Sequence, residues 1–408
     1  MYYFIARQPI FDRALNVYGY ELLYRQAGKA SYDHLDGDQA SARVITDGIF
    51  GIGLKTLATG KKAFINFTSN LLTEEVATLL PVETIAVEIL EDVLPSHEIV
   101  EACKRLKEAG YSIVLDDFVL EKKLKPLIDL ADIIKVDFLS TPPKLQKAYV
   151  RYFQQHKAKL LAEKVESQVV LRQAMDMGYS YFQGYFFGQP NLHAERIMST
   201  YKINYLRLMK EITREDIELS PIEDIIKRDV ALSYRLLKFI NSAHFGFRVE
   251  IHSIRQALAL MGMVELRKWL SLLAMSAVSR DKPGELMMHS LVRAKFCELL
   301  APRADLGKRS AELFLLGLFS MIDAFLDRTK TEIFEELPLS DDIKAALQNG
   351  QGPFYPVFEL VRSYERGSWE ELSRLAHLLN LNETEIPQLY LDSIEWSSST
   401  LDMIPATA

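Results

Sequence analysis

The sequence predicts an eight-stranded α/β barrel whose first strand runs antiparallel to the second, followed by an all-helical domain. Three observations predict it. From Phe4 to about Pro190, apolar runs of strand length alternate with amphipathic stretches of helix length, the pattern of parallel strands joined by crossover helices. The first connection, around Asn16-Val-Tyr-Gly19, reads as a hairpin rather than a crossover, so the first strands are expected to pair antiparallel. Beyond Lys210 the strand-like runs stop, and apolar residues recur at helical spacing, as in Leu232, Leu236, Leu237 and Ile240.

In order, the expected strands are Tyr3–Ile10, Val17–Tyr24, Lys62–Phe67, Ile85–Leu90, Ser112–Phe118, Ile133–Phe138, Lys159–Val165 and Tyr181–Phe187. Helical patterns between them include Asp38–Ile52, His97–Ala109, Leu145–His156 and Gln168–Met177, with Gly110 and Gly178 as C-terminal stops. Eight strands with intervening helices fit a barrel of the TIM type, in which the C-terminal strand ends converge on one mouth. Glu195–Lys210 reads as a helical connector. The expected helices beyond it include Pro221–Arg228, Ala231–Asn241, Ser253–Leu260, Met263–Val278, Leu286–Leu300 and Ser310–Leu326. Two domains follow, residues 1–200 and 201–408, as the length also suggests.

With 49% hydrophobic and 25% charged residues the composition is that of a globular protein. A net charge of −7 argues against broad nucleic-acid binding and against a polybasic membrane anchor. Two cysteines, Cys103 and Cys297, exclude a disulfide framework and a thiolate zinc site. No signal peptide is read at Met1-Tyr-Tyr-Phe, and Leu313–Phe319 is far shorter than a membrane span. A cytoplasmic location is expected.

The chemistry concentrates at the strand ends. Seven apolar runs carry or end in a polar group: Glu21 and Arg25, Asn66, Glu88 and Glu91, Asp116 and Asp117, Lys135 and Asp137, Glu163 and Glu166, and Gln183. A polar group inside a run buried on both faces needs a partner. Acids converging with an amide oxygen are hard-cation ligands. Taken singly, each has a plainer reading: a solvated carboxylate, a helix N-cap at Asp116-Asp117, or a buried pair between Lys135 and Asp137. Two adjacent like charges at the end of a buried strand, however, repel unless a cation relieves them.

In their order along the chain these motifs resemble the EAL domain of cyclic di-GMP signalling, over roughly residues 4–190. They are Gln8-Pro9-Ile10, Glu21-Leu-Leu-Tyr-Arg25, Asn66, Glu88-Ile-Leu-Glu91, Asp116-Asp117-Phe118, Lys135-Val-Asp137, Ala162-Glu-Lys-Val-Glu166 and Gln183-Gly-Tyr. The helical half resembles the HDOD domain, a metal-free relative of the HD phosphohydrolases, over roughly residues 205–390. That likeness is carried by Ile226–Ala243 and by Ile254-Arg-Gln-Ala-Leu-Ala-Leu-Met-Gly262.

The resemblance implies a cyclic di-GMP phosphodiesterase that uses two ions of Mg²⁺ or Mn²⁺. Glu21, Asn66, Glu88 and Asp116 match ligands of a first ion, and Asp116 with Asp117 would reach a second. Lys135 matches a residue that orients the attacking water, Glu163 and Gln183 complete that shell, and Glu91 joins the catalytic set. Arg25, with Gln183, would contact the ligand. A catalytically impaired receptor for the same dinucleotide is the alternative, because Val119-Leu-Glu-Lys122 replaces the family's usual Gly-Thr-Gly after Phe118. Lys164 also stands in place of a usual glycine, and Leu90 in place of a threonine. A third reading, a barrel metal hydrolase for another phosphoester, would require the ordered motifs to be coincidental. In the helical half Ser320-Met321 stands where an HD hydrolase carries His-Asp, so a protein-interaction role is implied. A homodimer is left open.

Overall fold

The computed structural model describes residues 3–26, 54–189, 219–227, 233, 236, 237, 239–241, 251–279, 282–337 and 339–403. Side chains of Tyr24, Arg25 and Gln26 lie outside this description, as do the expected helix Asp38–Ile52 and the connector Glu195–Lys210. The chain divides into two compact units. The first comprises Met1–Gln189, Pro283–Glu285 and Glu359–Ser399; the second comprises Pro190–Lys282, Leu286–Phe358 and Thr400–Ala408.

The first unit is a closed barrel of eight strands in sequential order. They are β1 (Tyr3–Phe11), β2 (Val17–Gln26), β3 (Lys62–Phe67), β4 (Ile85–Ile89), β5 (Ser112–Leu115), β6 (Ile133–Asp137), β7 (Lys159–Glu163) and β8 (Tyr181–Gln183). β1 runs antiparallel to both β2 and β8, and every other pairing is parallel. The hairpin between β1 and β2 is tied by Asp12, whose Oδ1 accepts the backbone N–H groups of Ala14 and Asn16.

Five strands stop short of the sequence expectation, most visibly β5 and β8. β5 ends at Leu115 because Asp117 takes a left-handed φ of 39°. β8 ends at Gln183 because Gly184 turns the chain with φ 142°. Only glycine fits there, since a Cβ would stand 2.2 Å from the carbonyl oxygen of Val165. The helices His97–Glu108 and Gln168–Met177 start at N-caps Ser96 and Ser167, and the latter stops at Gly178 with φ 108°.

The period of two along each strand builds the barrel interior in layers. One layer is apolar: Ile10, Phe64, Ala86, Val114, Ile133, Leu161 and Tyr181. Two residues further towards the mouth on the same strands stand Gln8, Asn66, Glu88, Asp116, Lys135, Glu163 and Gln183. The polar layer therefore follows from the apolar one by strand geometry.

Residues Glu359–Ser399 complete the first unit. The Trp369 ring stacks on Phe4 with centroids 5.4 Å apart. The Tyr364 hydroxyl accepts from the N–H of Ile5 and donates to its carbonyl.

Within the second unit the helix Ile254–Val278 is interrupted by Gly262, whose φ of 73° is non-helical. The break falls between the two helices expected there. The stretch expected as Ser310–Leu326 is likewise two helices, Ser310–Phe319 and Ile322–Leu326, separated at Ser320-Met321. Gly317 lets the first of these approach closely, since a Cβ there would lie 2.5 Å from the carbonyl oxygen of Arg293. The Arg293 guanidinium then donates to the Ser320 hydroxyl at 3.1 Å. Trp269 and Met261 are core residues. No helix among the described residues is long and apolar enough to cross a membrane.

Candidate metal centre at the barrel mouth

Lys135 organises the mouth. Its ammonium is 1% exposed and lies 2.8 Å from Asp116 Oδ1, 2.8 Å from Glu163 Oε1 and 3.2 Å from Glu21 Oε2, with Glu88 Oε1 also in contact. The plainer reading of Lys135, a buried pair with Asp137, does not hold. Asp137 sits at the end of β6, where its carboxylate accepts from the N–H groups of Leu139 and Ser140 and pairs with Lys164 at 2.6 Å.

Neighbouring amides fix the acids further. Gln183 Nε2 donates to Glu21 Oε2 at 2.7 Å and to Gln8 Oε1 at 3.0 Å, which joins β8 to both strands of the hairpin. Asp116 Oδ1 accepts from the N–H of Asp117, and the N–H of Phe118 donates to the Lys135 carbonyl at 3.1 Å. Phe118 is anchored by edge contacts to Tyr149 and Phe153, whereas Val119 and Leu120 project to the surface.

One ammonium does not balance five carboxylates. Burial, together with Glu21 and Asp116 nearby, pushes the Glu88 carboxyl well above its usual range despite contact with Lys135. Burial also pushes Glu163 up to about 8. Asp117 is raised by burial and by its neighbour Asp116. Burial alone would lower the Lys135 value, but Glu163, Glu21, Glu88 and Asp116 outweigh it and hold the ammonium well above the ordinary lysine range. Ionising every acid in this setting costs free energy that added positive charge would recover.

Five oxygens at the mouth are buried and find no hydrogen-bond donor among the described residues. They are Asn66 Oδ1, Glu88 Oε2, Asp117 Oδ1, Glu163 Oε2 and Gln183 Oε1. Buried acceptors are ordinarily satisfied. These are all hard oxygens, and carboxylate oxygens of Asp116, Asp117 and Glu163 lie within 4.8 Å of one another. The donor set fits divalent cations of the Mg²⁺ and Mn²⁺ type.

The structure thus brings together Glu21, Asn66, Glu88, Asp116, Asp117, Lys135, Glu163 and Gln183. Glu91 is placed differently: it lies exposed on the turn after β4, where its charge acts on Asp117. The backbone of Arg25 pairs with Phe4 in the hairpin, and its side chain lies outside the described residues. The sequence alone gives Gln8 and Lys164 no role. The inward register of Gln8, two residues from Ile10, is a signal for it; for Lys164 the signal is its place where the family usually carries glycine, which agrees with its left-handed φ of 53°.

Two family models match the chain, the EAL domain over residues 55–190 and the HDOD domain over residues 199–331. An uncharacterized protein of Bacillus subtilis, YuxH, is 37% identical over 98% of this chain and 99% of its own length. The cyclic di-GMP phosphodiesterase CdgJ of Vibrio cholerae is 33% identical over 97% of this chain and 92% of its own length. Among solved structures, the Bacillus subtilis YkuI protein with an EAL domain, in complex with cyclic di-GMP and calcium, is 18% identical. It covers 65% of this chain and 73% of its own with a TM-score of 0.38.

Proposed function

Because this chain belongs to the family of proteins in which an EAL domain precedes an HDOD domain, we propose that its barrel hydrolyses cyclic di-GMP to the linear dinucleotide. The observation that carries the proposal is the mouth itself: four carboxylates around one buried ammonium, Asp117 beside them, and five buried oxygens with no hydrogen-bond donor among the described residues. The likeness to CdgJ along nearly the whole chain supports the choice of substrate.

Hydrolysis adds one water across one phosphodiester bond. The water oxygen bonds to phosphorus, the bond to the leaving ribose oxygen breaks, and that oxygen takes up a proton. Glu21, Asn66, Glu88 and Asp116 would hold one Mg²⁺ or Mn²⁺, and Asp116 with Asp117 a second. Bound there, such ions supply an ionised water and positive charge for the in-line oxygens. Lys135 keeps its own proton, so it would orient an attacking water as a donor rather than as a base once one of its four carboxylates turns to a cation. Gln183 fixes Glu21 from the other side. Glu163, with its carboxyl raised by burial, is suited to hold a proton near neutral pH. Arg25 and Gln183 would meet the ligand, and Glu91 acts on Asp117 through its charge. The HDOD half is the protein-interaction module.

A second reading, a receptor that binds the dinucleotide without turnover, is favoured by one observation. The loop after Phe118 carries exposed Val119 and Leu120 in place of flexible glycines. Incubating the full chain with cyclic di-GMP and Mg²⁺ or Mn²⁺ should give the linear product. Asp116→Asn should abolish it while leaving the fold intact, because mouth residues do not build the core. Dinucleotide binding in Ca²⁺ without hydrolysis under any of these metals would select the receptor.

A further inference from the structure

The β1–β2 hairpin carries Glu21, yet little of the ladder holds it in the barrel. Among the described residues β2 pairs with β3 only at Gly19, Tyr20 and Glu21, so the ladder ends at the carboxylate itself. β1 pairs with β8 only at Ile10 and Phe11. The two strands are joined far more extensively to each other, from Tyr3↔Gln26 to Phe11↔Val17. With so short a ladder on either side, contacts outside the ladder bear on where the hairpin sits, and Glu21 sits with it.

The outer face of the hairpin is fastened by a segment remote in sequence. Gln8 and Glu21 face one another inward, so the adjacent Arg7 and Tyr20 point out of the barrel by strand alternation. The Tyr20 hydroxyl donates to Glu285 Oε2 at 2.8 Å. The Arg7 guanidinium lies 4.4 Å over the Tyr20 ring and donates to the Leu57 carbonyl at 2.9 Å. Arg7 and Glu285 are each 6% exposed, and Tyr20 is 2% exposed. Burying an arginine and a glutamate is costly unless their geometry is closely met. Glu285 lies in the first turn of the helix Gly284–Leu300, whose residues from Leu286 on belong to the second unit.

We infer that Glu285, through its hydrogen bond to Tyr20, is a positioning residue for Glu21: it holds the hairpin so that the Glu21 carboxylate meets a divalent cation at the barrel mouth. This rests on the metal reading of the mouth, and direct Mn²⁺ binding separates the two. Groups hydrogen-bonded directly to metal ligands commonly change metal affinity by about 10–100-fold when removed; Glu285 acts one step further out, through Tyr20, so the low end is expected.

The test uses the full chain stripped with chelator and titrated with Mn²⁺, read by electron paramagnetic resonance without substrate. Tyr20→Phe and Glu285→Gln should each raise the half-saturating Mn²⁺ about tenfold. Tyr20→Phe removes that hydrogen bond and leaves the Glu285 charge in place, whereas Glu285→Gln also removes this charge, which acts on Arg7. Tyr364→Phe is the control for stability alone: it removes hydrogen bonds to Ile5 of the same hairpin, away from Glu21, and should bind Mn²⁺ as the unmutated chain does. If Glu285→Gln does not fold, Tyr20→Phe decides alone. An unchanged isotherm in Tyr20→Phe, or an equal shift in Tyr364→Phe, overturns the positioning role and leaves the metal reading standing. Absence of Mn²⁺ binding in the unmutated chain overturns both.

Discussion

Replacing Lys135 with methionine keeps the length of the side chain and removes the one charge that four carboxylates share, three of them buried. The ammonium is 1% exposed, and three of its partners lie within 3.2 Å with Glu88 in contact as well. Breaking a buried ion pair from one side costs about 3–5 kcal/mol, because the partner charge stays behind unpaired. With four partners rather than one, the upper end of that range is expected, limited by protonation of Glu88 and Glu163. Those two carboxyls are already held above their usual range, so they take up protons first. Against a typical total of about 5–15 kcal/mol the loss is large. The assay is urea unfolding of the full chain at pH 7 in chelator, followed by the same series with excess Mn²⁺. A cation that binds the folded state at about 100 times its dissociation constant restores about 2.7 kcal/mol. Hydrolysis of cyclic di-GMP should fall by orders of magnitude even with Mn²⁺ present. A variant as stable in chelator as the unmutated chain, to within about 1 kcal/mol, would refute the claim that Lys135 stabilises the carboxylates around it.

Three further outcomes are expected. Glu163 binds its proton more tightly in the folded chain than its ordinary value of 4.5, up to about 8. In chelator the folded state therefore holds the extra proton between those values, and stability should fall as pH rises from about 4.5 to 8; excess Mn²⁺ should flatten this slope, and a stability that rises over the range would contradict it. Gly184→Ala places a Cβ 2.2 Å from the Val165 carbonyl oxygen at a φ of 142°, so a loss of about 3 kcal/mol or more is expected in thermal unfolding, and a neutral substitution would count against the close approach. A fragment of residues 1–200 lacks Tyr364 and Trp369, which cover Phe4 and Ile5; it should melt below the barrel of the full chain, and an equal midpoint would show that the segment 359–399 adds nothing to the barrel.

Apolar runs of strand length, each with a polar residue near its end, already determined the barrel and, through strand geometry, most of its mouth. Once Phe64, Ala86, Val114, Ile133 and Leu161 face inward, Asn66, Glu88, Asp116, Lys135 and Glu163 must face inward one step higher. The hairpin chemistry around Asp12–Asn16 likewise determined the antiparallel start, because a connection that short leaves no room for a crossover. What lay beyond local pattern was decided by contacts between distant segments. Which carboxylate Lys135 meets, and that Asp137 turns instead to Lys164, depends on backbone angles at Asp117 and Lys164 that residue type disfavours. The interruption at Ser320-Met321 and the approach of Arg293 to it depend on how closely two helices pack at Gly317. The return of residues 359–399 to the barrel unit, and the hold of Glu285 on Tyr20, join positions separated by hundreds of residues. An amphipathic helix announces that it has an apolar face, but the surface that covers the face is chosen by shape and charge in three dimensions.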